Sequence, residues 1–205
     1  MYIMPSKLAN MYTYKYKELA LALYEALIAD PFYIELIRGI PGEQEKQDAL
    51  IRYMDYSMTE GETYGELTIK SYGAAIWSKP LSVDLDNEKS RLKKDFIKTH
   101  MGEAALDAYS SIVSFMADQA GSVPPEAWYL SIAGIAPAYQ GKGLGVELLS
   151  EVLNQTDKNG LPTYLETFTP RNIKFYERMG YEIVKKVAEP VTGYDYWIMV
   201  RGAKA

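Results

Sequence analysis

The chain contains no cysteine. Disulfides, thiolate metal sites and a cysteine nucleophile are excluded together, and the absence fits a reducing compartment. There is one histidine, His100. A Ser-His-Asp triad would have to use it, and a multi-histidine zinc site cannot be built. Its setting, Lys98-Thr99-His100, reads as surface. Positive charge is also short: 22 Lys and Arg stand against 27 Asp and Glu, a net charge of −5. That argues against a phosphate-backbone partner and suits a cationic substrate such as an amine better. No apolar run approaches a membrane span, and the first residues lack the order of a signal peptide. The expectations are no metal, no nucleic acid, no membrane and a cytoplasmic location.

With 205 residues, 48% of them hydrophobic and 24% charged, the chain reads as one domain spanning 1–205. A chain of this size buries roughly 70% of the surface its unfolded form exposes, enough for a core without staples. No internal repeat or low-complexity linker interrupts it.

Leu19, Leu23, Ala26 and Leu27 recur at helical spacing within 14–29, and Asp30-Pro31 closes that helix. A second helix follows Pro41-Gly42 to about Met58, then strands at 64–70 and 73–78. A helical insert covers about 87–121, with Phe96, Ala104, Leu106, Tyr109, Val113 and Met116 as expected buried positions. Beyond Gly121-Ser122-Val123-Pro124-Pro125 come a strand at 127–135, a helix at 144–158 with Leu148, Leu149, Val152 and Leu153 inside, and a strand at 163–168. Thr169 as N-cap and Pro170 at the first position open a short helix, which Gly180 ends. Strands at 181–187 and 194–200 complete a mixed α/β layered fold. Trp77, Trp128 and Trp197 read as core residues.

The most informative segment is the turn Gln140-Gly141-Lys142-Gly143-Leu144-Gly145 between a strand and a helix. A helix N-terminus presents unpaired N–H groups and partial positive charge, a ready anion site. Glycines at 141, 143 and 145 let backbone amides approach an anion closely. A dinucleotide fingerprint fails because Val146 stands where a third glycine is needed, and a phosphate loop fails because Gly143 follows Lys142 where Ser or Thr is needed.

Gln140-x-x-Gly143-x-Gly145, preceded by a strand and Pro137, resembles the acyl-CoA motif of the GNAT acetyltransferase superfamily. The segment from Asn172 to Tyr181, with Phe175-Tyr176-Glu177-Arg178-Met179-Gly180 inside it, resembles that family's second signature. The resemblance covers roughly 64–200. Ala127-Trp128-Tyr129-Leu130 and Tyr164-Leu165-Glu166-Thr167 also look like the branch containing puromycin N-acetyltransferase. The resemblance implies a central, mostly antiparallel mixed sheet flanked by helices, with acetyl-CoA as co-substrate. Backbone groups of Ala133 and Ile135 would pair with the pantetheine arm, and Gly134 would lie at a bulge that splays its strand from the next. Amides from Gln140 through Gly141, Lys142, Gly143 and Leu144 to Gly145 would hold the pyrophosphate. Asn172 would contact the coenzyme arm and Tyr176 would sit near its sulfur.

The chemistry is consistent with those roles. A tyrosine, with pKa ~10, stays protonated at neutral pH and can protonate a departing thiolate; Tyr176 suits this. A lysine-like amine must lose a proton first, which costs roughly 4–5 kcal/mol at pH 7 unless a base helps. Strand alternation puts Glu166 on one face with Tyr164 and Phe168, where it could be that base or anchor a cation; Glu66 and Glu126 are weaker candidates. The expected function is N-acetylation of a small-molecule primary amine by direct attack in a ternary complex. A CoA-binding module without turnover and a protein or peptide N-acetyltransferase stand as alternatives. Helices covering the cleft would favour a small molecule. Tyr24, Tyr33, Tyr53 and Tyr109 could line the acceptor pocket or merely pack. The final two strands could pair between copies as a homodimer.

Overall fold

A computed structural model describes residues 12–204. The chain opens with three helices, α1 (Lys17–Leu27), α2 (Pro31–Ile37) and α3 (Glu43–Tyr64). The Asp30-Pro31 pair that ends α1 also starts α2, which the sequence reading did not separate out. The Asp30 carboxylate accepts from the Phe32 amide at 3.0 Å while Pro31 occupies the first turn, where its missing N–H costs nothing. Helix α3 runs past the expected Met58 to Tyr64. Gly61 inside it has a packing reason: a Cβ there would meet Ile76 Cγ2 at 2.6 Å, so the glycine lets α3 lie close on the sheet.

Six strands form one sheet: β1 (Gly65–Lys70), β2 (Gly73–Ser78), β3 (Trp128–Ile135), β4 (Thr163–Thr167), β5 (Glu182–Ala188) and β6 (Asp195–Arg201). Their spatial order is β1-β2-β3-β4-β6-β5, and only the central β3–β4 pair is parallel. The mixed, mostly antiparallel sheet is as expected.

Helices cover both faces. On one face α6 (Leu144–Lys158) seats Leu148, Leu149, Val152 and Leu153 against Trp77, Leu130, Leu165 and Met199. Fully burying each such aliphatic side chain is worth about 1.5–3 kcal/mol, which fixes the start of α6 against the end of β3. On the other face α1 and α3 pack on Ala74, Ile76 and Ile132.

The insert is two helices, α4 (Val83–Met101) and α5 (Glu103–Gln119), hinged at Gly102 with φ +94°. It begins earlier than expected, and its buried face is different. Phe96 is buried, as expected, but Ile97, Met101, Ala105 and Ile112 are the other core residues. Ala104 and Val113 are exposed, and Leu106, Tyr109 and Met116 are only half-buried. The apolar stripe was misread because Tyr109, Val113 and Met116 face an internal cavity instead of the core. Trp77 and Trp128 are buried as expected, while Trp197 is half-buried.

Two further corrections concern local geometry. Thr169 stands at the N-cap position with Pro170 at the first helical position, as expected, but its side chain makes no capping bond. Its hydroxyl donates to Asp30 at 3.1 Å, tying this loop to the start of α2, and a 3₁₀ turn (Pro170–Asn172) precedes α7 (Ile173–Arg178). His100 is half-buried, packed edge-on against Tyr12 with ring centroids 5.3 Å apart and tilted against Phe96 at 4.9 Å.

Candidate active site

The site originates in the parallel pair. β3 and β4 are in register only at Trp128↔Thr163, Tyr129↔Tyr164 and Leu130↔Leu165. β3 then continues to Ile135 and β4 to Thr167 without pairing, so the two strands part and open a wedge in the middle of the sheet. The irregularity beside this wedge is at Ser131. Opposite β2, Ile76 pairs with Ile132 and Trp77 with Leu130, leaving Ser131 as the extra residue, its hydroxyl donating to the Ile76 carbonyl at 3.0 Å. The bulge inverts the alternation of β3: Trp128 and Leu130 face α6, but after it Ile132 faces α1 and α3. The bulge expected at Gly134 is therefore at Ser131. Gly134 serves another purpose, since a Cβ there would meet Leu23 Cδ2 of α1 at 2.6 Å.

Past β3, the turn from Gln140 to Gly145 is exposed and held from behind. The Gln140 side-chain amide donates to the Ile135 carbonyl at 2.9 Å, and the Lys142 ammonium donates to the Ala138 carbonyl at 2.9 Å and lies over the Tyr139 ring. Gly141 and Gly143 sit at φ +76° and +78°, a left-handed backbone that favours glycine, and a Cβ on either would meet nothing within 4 Å. Gly145 is glycine for packing: a Cβ would meet the Phe175 ring at 2.8 Å. Among the described residues no acceptor takes the amides of Gly141, Lys142, Gly143, Leu144 or Gly145. These free donors lie at the N-terminus of the 15-residue α6. They match what a bound pyrophosphate requires.

Glu166, Asn172, Tyr176 and Ala133 line one cavity of about 800 Å³. It extends from the wedge, beneath α4 and α5, to α2 and α3. Within it Glu166 keeps one oxygen, Oε1, sealed from water without a hydrogen-bond partner. Loss of solvation raises its carboxyl to about 7, against a smaller opposing effect from the Tyr129 hydroxyl. Tyr176 packs edge-on against Phe175 and Tyr181, at 5.1 and 5.9 Å between ring centroids. Burial, with a small contribution from Asp30, pushes its phenol up to about 12, so it is protonated at neutral pH. Ile135 and Gly134 do not line the cavity. Nor do the weaker candidates: Glu66 is engaged with Lys79 at 2.7 Å, and Glu126 is exposed. Of the four tyrosines with an open role, Tyr33, Tyr53 and Tyr109 line the cavity and Tyr24 packs on the core.

Sequence reasoning missed Tyr129 and a buried ion pair. Tyr129 stacks on Tyr164 at 4.6 Å and 19° beside Glu166. Alternation along β3 could have placed it opposite Trp128. The pair, Lys93 and Glu60, approaches at 3.5 Å with both side chains largely buried. No local pattern distinguishes Lys93 from the charged residues around it.

Comparison with known proteins agrees with this architecture. Residues 104–183, which include both the glycine turn and α7, match the family model described as Acetyltransferase (GNAT) domain. An uncharacterised N-acetyltransferase of Schizosaccharomyces pombe is 26% identical over 81% of this chain and 70% of its own. Among solved structures, one described as histone acetyltransferase HPA2 and related acetyltransferase from Corynebacterium glutamicum superposes with a TM-score of 0.63 at 20% identity, covering 98% of this chain and 96% of its own. A mosquito arylalkylamine N-acetyltransferase-like protein superposes with a TM-score of 0.52 at 16% identity, covering 90% and 94%. These matches agree with the GNAT resemblance and do not reach the narrower puromycin branch. Residues 104–183 thus resemble a GNAT acetyltransferase domain, and the chain as a whole is similar to an N-acetyltransferase and shares the fold of solved acetyltransferases.

Proposed function

We propose that the chain transfers an acetyl group from acetyl-CoA to a primary amine of a small molecule, by direct attack while both substrates are bound. The observation that carries this reading is the cavity of about 800 Å³ roofed by α4 and α5. Its volume lies in the range of small-molecule sites, roughly 300–1,000 Å³. Helices α4 and α5 line the cavity together with the wedge, which favours a compact acceptor over an extended peptide.

Each expected residue then has a role. The free amides of Gly141 to Gly145 hold the pyrophosphate. The unpaired edge of β3 around Ala133 and Ile135 takes the pantetheine arm as a strand partner, bringing the thioester to the wedge, and Asn172 contacts the same arm. Glu166 accepts the proton the amine loses as its nitrogen bonds the acetyl carbon. Tyr176 donates a proton to the sulfur as the carbon–sulfur bond breaks. One proton is taken and one given, and the free thiol leaves. A base poised near 7 has the useful compromise between being ionised and being basic. Juxtaposing the reactants supplies much of the remaining acceleration.

The test is calorimetric titration with acetyl-CoA of the wild type and a Gly143→Glu variant, with circular dichroism as the check on folding. The variant places a carboxylate among the pyrophosphate donors, and the open space at this position leaves room for it. Binding by the wild type and its loss in a folded variant is the expected result. No binding to the wild type at millimolar coenzyme would remove the proposal.

A further inference from the structure

The cavity carries more ionisable chemistry than acetyl transfer uses, and among the described residues the sealed side-chain atoms lining it that lack a partner are both carboxylate oxygens. The three lysines that line it have partners. Lys79 reaches Glu66 at 2.7 Å, Lys89 donates to the Ser78 hydroxyl at 3.0 Å, and Lys93 donates to the Ser57 hydroxyl at 2.8 Å. Lys93 also lies over the Tyr53 and Tyr56 rings, 4.3 and 5.0 Å from their centroids, so its remaining N–H groups meet aromatic faces. Glu60 on α3 is different. Its side chain is 14% exposed, yet among the described residues its one ion-pair partner is Lys93 at 3.5 Å, longer than a charge-assisted hydrogen bond, and Oε1 has no partner. An ionised carboxylate offers about four acceptor positions, so Glu60 is nearly unspent. Glu166 is in the same condition on the sheet side of the cavity.

A ligand that completes this site must therefore bring donors to two places. We infer that Glu60 forms a second-cation subsite, and that the acceptor is a diamine: one amino group meets Glu166 and is acetylated, and the other remains charged and hydrogen-bonds to Glu60. The aromatic walls support the same ligand. Tyr53 and Tyr109 line the cavity with Glu60, their phenols raised mainly by burial and in smaller part by the Glu60 charge, and tyrosine faces attract ammonium groups. Tyr129 and Tyr164 do likewise beside Glu166. Keeping a carboxylate buried and under-bonded costs stability, and recognition of a cation is the use this cavity offers for it. The inference rests on reading the cavity as the acceptor site.

The experiment compares a graded series of α,ω-diaminoalkanes with the matching n-alkylamines and ω-amino carboxylates, in wild type, Glu60→Gln and Glu60→Asp. Acetyl-CoA-dependent thiol release and calorimetric binding in the presence of CoA are both measured. Glu60→Asp keeps a negative charge for Lys93 while withdrawing it by one methylene. Unchanged CoA affinity shows that each variant folds. The expected result is a kcat/KM for the best diamine roughly 10- to 100-fold above its monoamine, with that advantage lost in Glu60→Gln, shifted to a longer diamine in Glu60→Asp, and monoamine rates unchanged. Equal rates for diamines and monoamines, or a preference for ω-amino carboxylates, would overturn the subsite and leave acetylation standing. If no amine releases thiol but diamines bind the wild type and not Glu60→Gln, the subsite stands and the acetylation reading fails. Binding of diamines to neither removes the subsite.

Discussion

In the proposed mechanism Glu166 is the base, and its environment gives two opposite expectations for pH. Burial raises its carboxyl to about 7. As a base it must be ionised, so kcat/KM with a saturating coenzyme should rise with pH through an inflection near 7. Glu166→Gln should lower the rate by about 10²–10⁴-fold and abolish that limb; an inflection that survives would assign it elsewhere. For stability the sign reverses. The folded-state pKa lies above the unfolded value, so the native state holds the extra proton between about 4.3 and 7. Stability should therefore fall as pH rises through that window, by on the order of 1–3 kcal/mol. Denaturant titrations at pH 5 and pH 8 should show the drop in wild type and a smaller one in Glu166→Gln. Tyr176→Phe tests the acid: it should cut kcat while the Kd for acetyl-CoA changes little, because the phenol acts on the departing sulfur. A proportionate loss of coenzyme affinity would make Tyr176 a packing residue instead.

At the scale of elements, glycines set the distances. Gly134 lets α1 press on β3 beside the wedge, so Gly134→Val should overpack against Leu23 and cost about 1–3 kcal/mol in a thermal or denaturant melt. A neutral outcome would mean that α1 shifts freely and does not define the site. Much of this level was legible in the sequence. The glycine turn, α6 with its inner leucines and the strands β5 and β6 follow from local patterns that tertiary packing reinforces, whereas the pairing of β5 with β6 within the chain does not. The misreadings have physical causes. The stripe at Tyr109, Val113 and Met116 is apolar because it faces a cavity, and periodicity cannot distinguish a cavity wall from a core. The bulge at Ser131 was also out of reach, because it arises from the register against β2 and not from a residue within β3. Glu60 and Lys93 meet across 33 positions of sequence, and each sits on a helix face that looks solvated when read alone.

At the scale of the molecule, two surfaces of one sheet divide the work. In the proposed reading α6 and its turn serve the coenzyme on one side, the cavity lined by α2 to α5 takes the acceptor on the other, and the wedge between β3 and β4 joins them. Changes in the roof should therefore affect acceptor kinetics alone. Val113→Trp, which fills the cavity from α5, should raise KM for the amine by about tenfold or more with the acetyl-CoA Kd unchanged. The enclosure is also the basis for assigning a small acceptor. The most direct measurement is the initial rate of acetyl-CoA-dependent thiol release with a panel of small primary amines, run beside peptides bearing free N-termini and lysines. The account predicts saturable turnover of small amines, lost in Glu166→Gln, and little with peptides. Turnover confined to peptides would contradict it.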